Sequence, residues 1–208
     1  MNGPRVAEMS LAKRFERAYG VMSSRRFLAM EGLGNEVPYF ILPYDPHDEP
    51  RIAEERKRLI NKLRTADGLS VCDIDLWRLA CDLWQETGQW EQILAAEPTL
   101  PKSSFGEAIT NVISPGTHLS PRIAEVFAQQ DPKPDIVLIA NVGRLFPIVR
   151  SHTILNTLQP LLSNVPIVLV FPGSYRQSST QGSALVLFDK LGDDDYYRAF
   201  NLLEMEIH

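Results

Sequence analysis

The chain has 208 residues, of which 44% are hydrophobic and 23% charged, the balance of an ordinary globular fold and not of a disordered, collagenous or coiled-coil chain. At this length about 70% of the unfolded surface can be buried, and with no linker-like stretch the expectation is one domain over residues 1–208, residues 1–9 forming a loose tail. The 26 acidic and 21 basic residues give a net charge of −5, which argues against a surface that grips nucleic acid all round.

Residues 10–30 place Leu11, Phe15, Ala18, Tyr19 and Met22 at helical spacing behind Ser10, which predicts an amphipathic helix ended by Gly32 and Gly34. The run Tyr39–Leu42, bounded by Pro38 and Pro43, is aromatic and β-branched and reads as a short buried strand. From Glu49 to Arg64 an aliphatic stripe of Ile52, Leu59, Ile60 and Leu63 predicts a surface helix, closed by Asp67-Gly68. A second strand is expected at Leu69–Ile74, then a helix carrying Leu76, Leu79, Ala80 and Leu83 beside Trp77 and Trp84.

Between Trp90 and Ile113 the helical pattern is broken by Pro98 and Pro101, so two short helices are expected. Ser120-Pro121 has the form of a helix start, and the helix it opens ends before Asp131–Pro134. The nearly continuous apolar runs Asp135–Asn141 and Pro166–Phe171, separated by a helix at 150–162, describe a βαβ unit with strands covered on both faces. A polar loop at 177–183 should precede a last strand, Ala184–Phe188, with a final helix opened by Asp193, Asp194 and Asp195. Five strands alternating with helices give the expected fold, an α/β three-layer sandwich with a mostly parallel central sheet and helices on both faces.

Chemistry-bearing motifs are sparse. No Gly-Lys pair occurs, so no phosphate-wrapping loop of that type is present, and Gly32-x-Gly34 lacks the third glycine of a dinucleotide fingerprint. His47, His118, His152 and His208 are scattered without metal-ligand spacing, and no GxSxG elbow occurs. Asp73 and Asp75 flank Ile74 at a strand end, where either they hold Mg²⁺ or one caps the following helix; the cap is the commoner use of such an aspartate. The expectation is therefore no metal, no cofactor and no catalytic residues. Cys72 and Cys81, nine residues apart, fit neither a redox pair nor a zinc pair and are expected as reduced thiols of a cytoplasmic protein. The charged first twenty residues and the lack of a long apolar run predict neither a signal peptide nor a membrane span.

In an open parallel sheet, ligands and partners meet the carboxyl ends of the strands. Those ends carry Tyr44-Asp45, Asn141-Val142-Gly143-Arg144 and Pro172-Gly173-Ser174-Tyr175. Arg144, Arg150 and His152 are candidates for an anion pocket at a helix start, unless Arg150 pairs with Asp45 or another carboxylate and His152 is an ordinary helix residue.

The stretches Phe27–Ile41 with Pro43–Pro46, Gly143–Pro160, Val170–Gly173 and Phe188–Phe200 together resemble the BrxB family over residues 10–204. BrxB proteins belong to BREX, a bacterial anti-phage system that marks host DNA by adenine methylation. The resemblance implies a place in an assembly with PglZ, an alkaline-phosphatase-like protein, with BrxC, a large ATPase, and with PglX, a methyltransferase. It brings no catalytic residues. Its recurring elements fall here on Asn35, Glu36, Asp45, Gly143, Arg144, Arg150, His152, Pro172 and Gly173, as a fold signature or as an interaction face.

Three readings follow. The leading one is a non-enzymatic adaptor that binds PglZ. The second is a regulatory protein that takes a phosphate or nucleotide at Arg144 and Arg150. The weakest is DNA contact through the helix at 51–64, which holds six of the 12 basic residues among the first 64. Trp84 and Trp90 are either interface anchors or, as most tryptophans are, core.

Overall fold

A computed structural model describes residues 9–31, 37–88, 90–178, 182–192 and 199–207. The parallel strands are β1 (Tyr39–Tyr44), β2 (Val71–Asp75), β3 (Ile136–Ala140), β4 (Ile167–Ser178) and, far along the chain, β7 (Phe200–Asn201), in the spatial order β2-β3-β4-β1-β7. Tyr39 of β1 and Val137 of β3 both lie beside Ile167 of β4, which fixes β4 as the middle strand.

Alternation along the strands builds two cores. In β3, Ile136, Leu138 and Ala140 join one cluster while Val137 and Ile139 join the other, and all five are buried. The first cluster takes its cover from α1 (Leu11–Met22), the short α2 (Arg25–Leu28) and α3 (Glu49–Asp67). The second is covered by α4 (Leu76–Glu86), α7 (Ser120–Ala128) and α8 (Ser151–Leu158), with α5 (Trp90–Ala96) and α6 (Lys102–Val112) packed outside α4. The three-layer α/β sandwich expected from the strand–helix alternation is the observed fold.

Local chemistry explains most boundaries. Gly68 ends α3 at φ +71°, the left-handed turn where a Cβ is strained, with its amide on the carbonyl of Arg64. Asp75 caps α4 by accepting from the amide of Arg78 at 3.1 Å. Lys62 of α3 reaches Glu16 of α1 at 2.8 Å and lies 3.8 Å over the Tyr19 ring, tying the two outer helices together. Trp84 is core: it is 2% exposed, donates from Nε1 to the carbonyl of Ile109, and stacks on half-buried Trp90 at 5.4 Å.

Several expectations need correction. The helix expected over 10–30 divides, because Ser24 ends one segment and restarts another: its hydroxyl donates to the carbonyl of Val21 and accepts from the amide of Phe27. Ser120 lies inside α7, which is preceded by a π-helical turn at Pro115–Leu119. Strand β4 continues to Ser178, well past Phe171, and pairs antiparallel with β5 (Gly182–Leu187), so the strands reach into the expected loop at 177–183. The last expected strand is therefore antiparallel, since a short hairpin cannot return a parallel partner. Two-residue β6 (Leu191–Gly192) pairs antiparallel with β5. The fifth parallel strand is β7, which helical patterning near the end of the chain hid. The helix expected to open at Asp193–Asp195 and the motif residues Asn35 and Glu36 lie outside the described residues. Among the described residues no helix is long and apolar enough to cross a membrane.

Candidate functional site

The carboxyl ends of β1, β3 and β4 meet where β4 leaves the parallel sheet for its hairpin. Gly143, in the 3-10 turn Val142–Leu145 after β3, sits so close to its neighbours that an added Cβ would lie 2.7 Å from Pro172 Cγ and 3.1 Å from the ring of Phe188. Gly173 has φ +139°, and a Cβ there would lie 2.1 Å from the Val186 carbonyl oxygen. Phe188 closes the knot: its amide donates to the carbonyl of Pro172 at 2.8 Å, and its ring stands edge-on to Phe146 at 6.5 Å. Its φ of +55° is unusual for a bulky residue, and Asp189 at +57° and Asn141 at +64° share that left-handed backbone. The motif residues Gly143, Pro172 and Gly173 are thus a close-packed joint between β3, β4 and β5.

Beside the joint, Glu49 and Arg144 are paired. Glu49, the first residue of α3, accepts from the buried Tyr44 hydroxyl and from Arg144 Nε at 3.3 Å. Burial, more than the Glu49 hydrogen bond, pushes the Tyr44 hydroxyl far above its ordinary range. At the outer strand, Arg56 reaches from α3 to Asp73 at 3.3 Å and to Asp75 at 3.7 Å, and Asn141 Nδ2 donates to Asp75 at 2.7 Å. Desolvation raises the Asp73 carboxyl, and the Arg56 charge opposes it. The Asp73–Asp75 pair is therefore answered by a cap and a guanidinium, and among the described residues no three His, Cys, Asp or Glu side chains are placed to hold a metal.

The candidate anion residues have different described surroundings. Arg144 is on Glu49, whereas Arg150 is the N-cap residue of α8 and borders a different cleft, with Phe146, Ser151, Lys190 and Leu191. His152 is half-buried in the first turn of α8 and does not line that cleft. Asp45 accepts from the amide and ring of His47, which hold its carboxyl below the usual range. It faces a second cleft of about 360 Å³ with Arg14, Ser174, Asp189 and Glu204. Within residues 51–64, Arg51, Arg56, Arg58 and Lys62 each meet a carboxylate of the same chain, which neutralises most of the basic helix considered for DNA.

Sequence reasoning missed Glu49, Phe146, Lys190 and Leu191. The periodicity of α3 begins at Ile52, so nothing marked Glu49 as the partner of Tyr44, and a lone exposed apolar residue has no signature at all.

Comparison with known proteins decides the family. The family model described as "BREX protein BrxB" matches residues 72–202. A relative named BREX protein BrxB from Bacillus cereus (strain H3081.97) is 31% identical over 92% of this chain and 97% of its own length. The chain belongs to the BrxB family. A second BrxB protein, from Escherichia coli O9:H4 (strain HS), is 25% identical over 93% of this chain and 92% of its own. No solved structure matches. The BrxB model begins at Cys72, within β2, so it takes in the joint at Gly143, Pro172 and Gly173 and leaves out α1 to α3.

Proposed function

We propose that this BREX component serves phage defence as a non-catalytic adaptor that holds the PglZ protein, with BrxC and PglX as further members of the assembly. Family membership supplies the setting. The observation that carries the reading is the joint itself: Gly143, Pro172, Gly173 and Phe188 fill one another's space, and Arg144 is joined to Glu49. Motif residues used in this way support a shape held rigid, the property an adaptor needs so that partners meet it without a large ordering cost.

The test is retention. Purified chain carrying an affinity tag is mixed with purified PglZ and passed over resin in moderate salt. Stoichiometric PglZ in the eluate is expected, and its absence, with BrxC and PglX absent too when offered, overturns the adaptor reading. Titration calorimetry with ATP and inorganic phosphate addresses the alternative at Arg144 and Arg150; saturable heat abolished by Arg144→Ala would replace the adaptor with a phosphate-binding regulator.

A further inference from the structure

Six large apolar side chains are exposed among the described residues, and two of them, Phe146 at 37% and Leu191 at 43%, border the same cleft. The cleft lies between the start of α8 and the β5–β6 pairing. Buried Phe171, Leu185 and Leu187 are among its lining residues, and the charged ones among the described residues are Arg150 and Lys190. Arg150 already has an interaction within the chain. The charge argument therefore leads with Lys190, which is exposed.

Apolar walls under a cationic rim select an occupant with both characters. An apolar side chain releases water from Phe146 and Leu191, and a carboxylate beside it meets Lys190 without leaving a buried charge unanswered. The volume, about 260 Å³, is below the roughly 300–1,000 Å³ of pockets that enclose cofactors and drug-sized ligands. It matches one large side chain with its flanking peptide units, the scale of an interface anchor.

We propose that this cleft docks an extended acidic segment of a protein partner, its one large apolar side chain seated between Phe146 and Leu191 and its carboxylate on Lys190. The proposal rests on the adaptor reading and names the surface that reading requires.

Two measurements test it. In the first, isotope-labelled full chain is titrated with the peptide acetyl-Glu-Phe-Glu-amide and, separately, with acetyl-Lys-Phe-Lys-amide, while amide resonances are followed. The acidic peptide is expected to give saturable shifts confined to the neighbourhood of Phe146, Arg150, Lys190 and Leu191, weakened roughly fivefold or more by Lys190→Glu, as for loss and reversal of one surface charge pair. Absent shifts, equal shifts with the lysine peptide, or shifts indifferent to Lys190→Glu overturn the cleft.

In the second, PglZ retention is compared for wild type, Lys190→Glu and Leu191→Asp, two exposed positions, each variant first shown by circular dichroism to fold. Retention by wild type and loss by both variants supports the cleft; equal retention by all three overturns it and leaves the adaptor standing. If wild type itself retains nothing, the adaptor reading fails and the peptide titration alone decides the cleft.

Discussion

Arg144 and Glu49 join the turn after β3 to the first residue of α3, with Nε and Oε1 3.3 Å apart, across β4, the strand that separates β3 from β1. The two partners differ in what their loss leaves behind. The side chain of Arg144 is 53% exposed, so Arg144→Ala is expected to cost under about 1 kcal/mol. Glu49 also accepts from Tyr44, which is 1% exposed, so Glu49→Ala strands a buried hydroxyl at about 1–3 kcal/mol. Urea unfolding checks the order, and a Tyr44→Phe background should erase most of the Glu49→Ala effect.

Gly143→Ala and Gly173→Ala should both destabilise, by different routes. At Gly143 the added methyl meets the ends of two side chains, Pro172 and Phe188, which can shift; a cost of about 1–3 kcal/mol is expected. At Gly173 it meets the backbone oxygen of Val186 at φ +139°, which has no rotamer to yield. Gly173→Ala should lose more stability than Gly143→Ala in denaturant midpoint, and its extra hydrogen exchange should concentrate in β5.

Alkaline pH should unfold the protein through its tyrosines. Burial raises the hydroxyls of Tyr39 and Tyr44 well above their ordinary value of 10.0. Above about pH 10 the unfolded chain gives up these protons and the folded one keeps them, so stability falls as pH rises, by up to about 1.4 kcal/mol per pH unit for each group. Tyrosinate absorbance should show Tyr39 and Tyr44 titrating together with the unfolding transition.

Thiol chemistry should divide the two cysteines. Cys72 is fully buried and its thiol is pushed up to about 11 by that burial, against a weaker lowering from the Gln130 amide. Cys81 is only partly buried and raised by the same cause. Near neutral pH Ellman's reagent should label Cys81 first, and a Cys81→Ser variant should react only as fast as it unfolds.

Why some of this was legible in the residues and some not follows from the range of each interaction. Ile136–Ala140 is apolar without a break because both faces are covered, and Gly68 ends α3 because only the left-handed turn fits; both signals are local and both were read. Asp75 as a helix cap was readable for the same reason. Strand β7 was not: two residues held by Phe40 and Ile41, 160 positions earlier, leave no period to detect. Arg144, Arg150 and His152 lie close in sequence and suggested one pocket, but that Arg144 answers a carboxylate 95 residues away has no local signal. The glycines of the joint were visible as a motif, but that Gly143 makes room for a proline and a phenyl ring, and Gly173 for a carbonyl oxygen, is a fact of three dimensions.

Strand β4 serves two neighbourhoods in one unbroken run. Its first residues are the central rung of the parallel sheet, between β3 and β1, and its later ones form half of the hairpin with β5. A tug on that hairpin is therefore carried along one strand, past the tightly packed Gly173, into the middle of the molecule. The hairpin is thus an extension of the sheet's central strand and not a separate appendage.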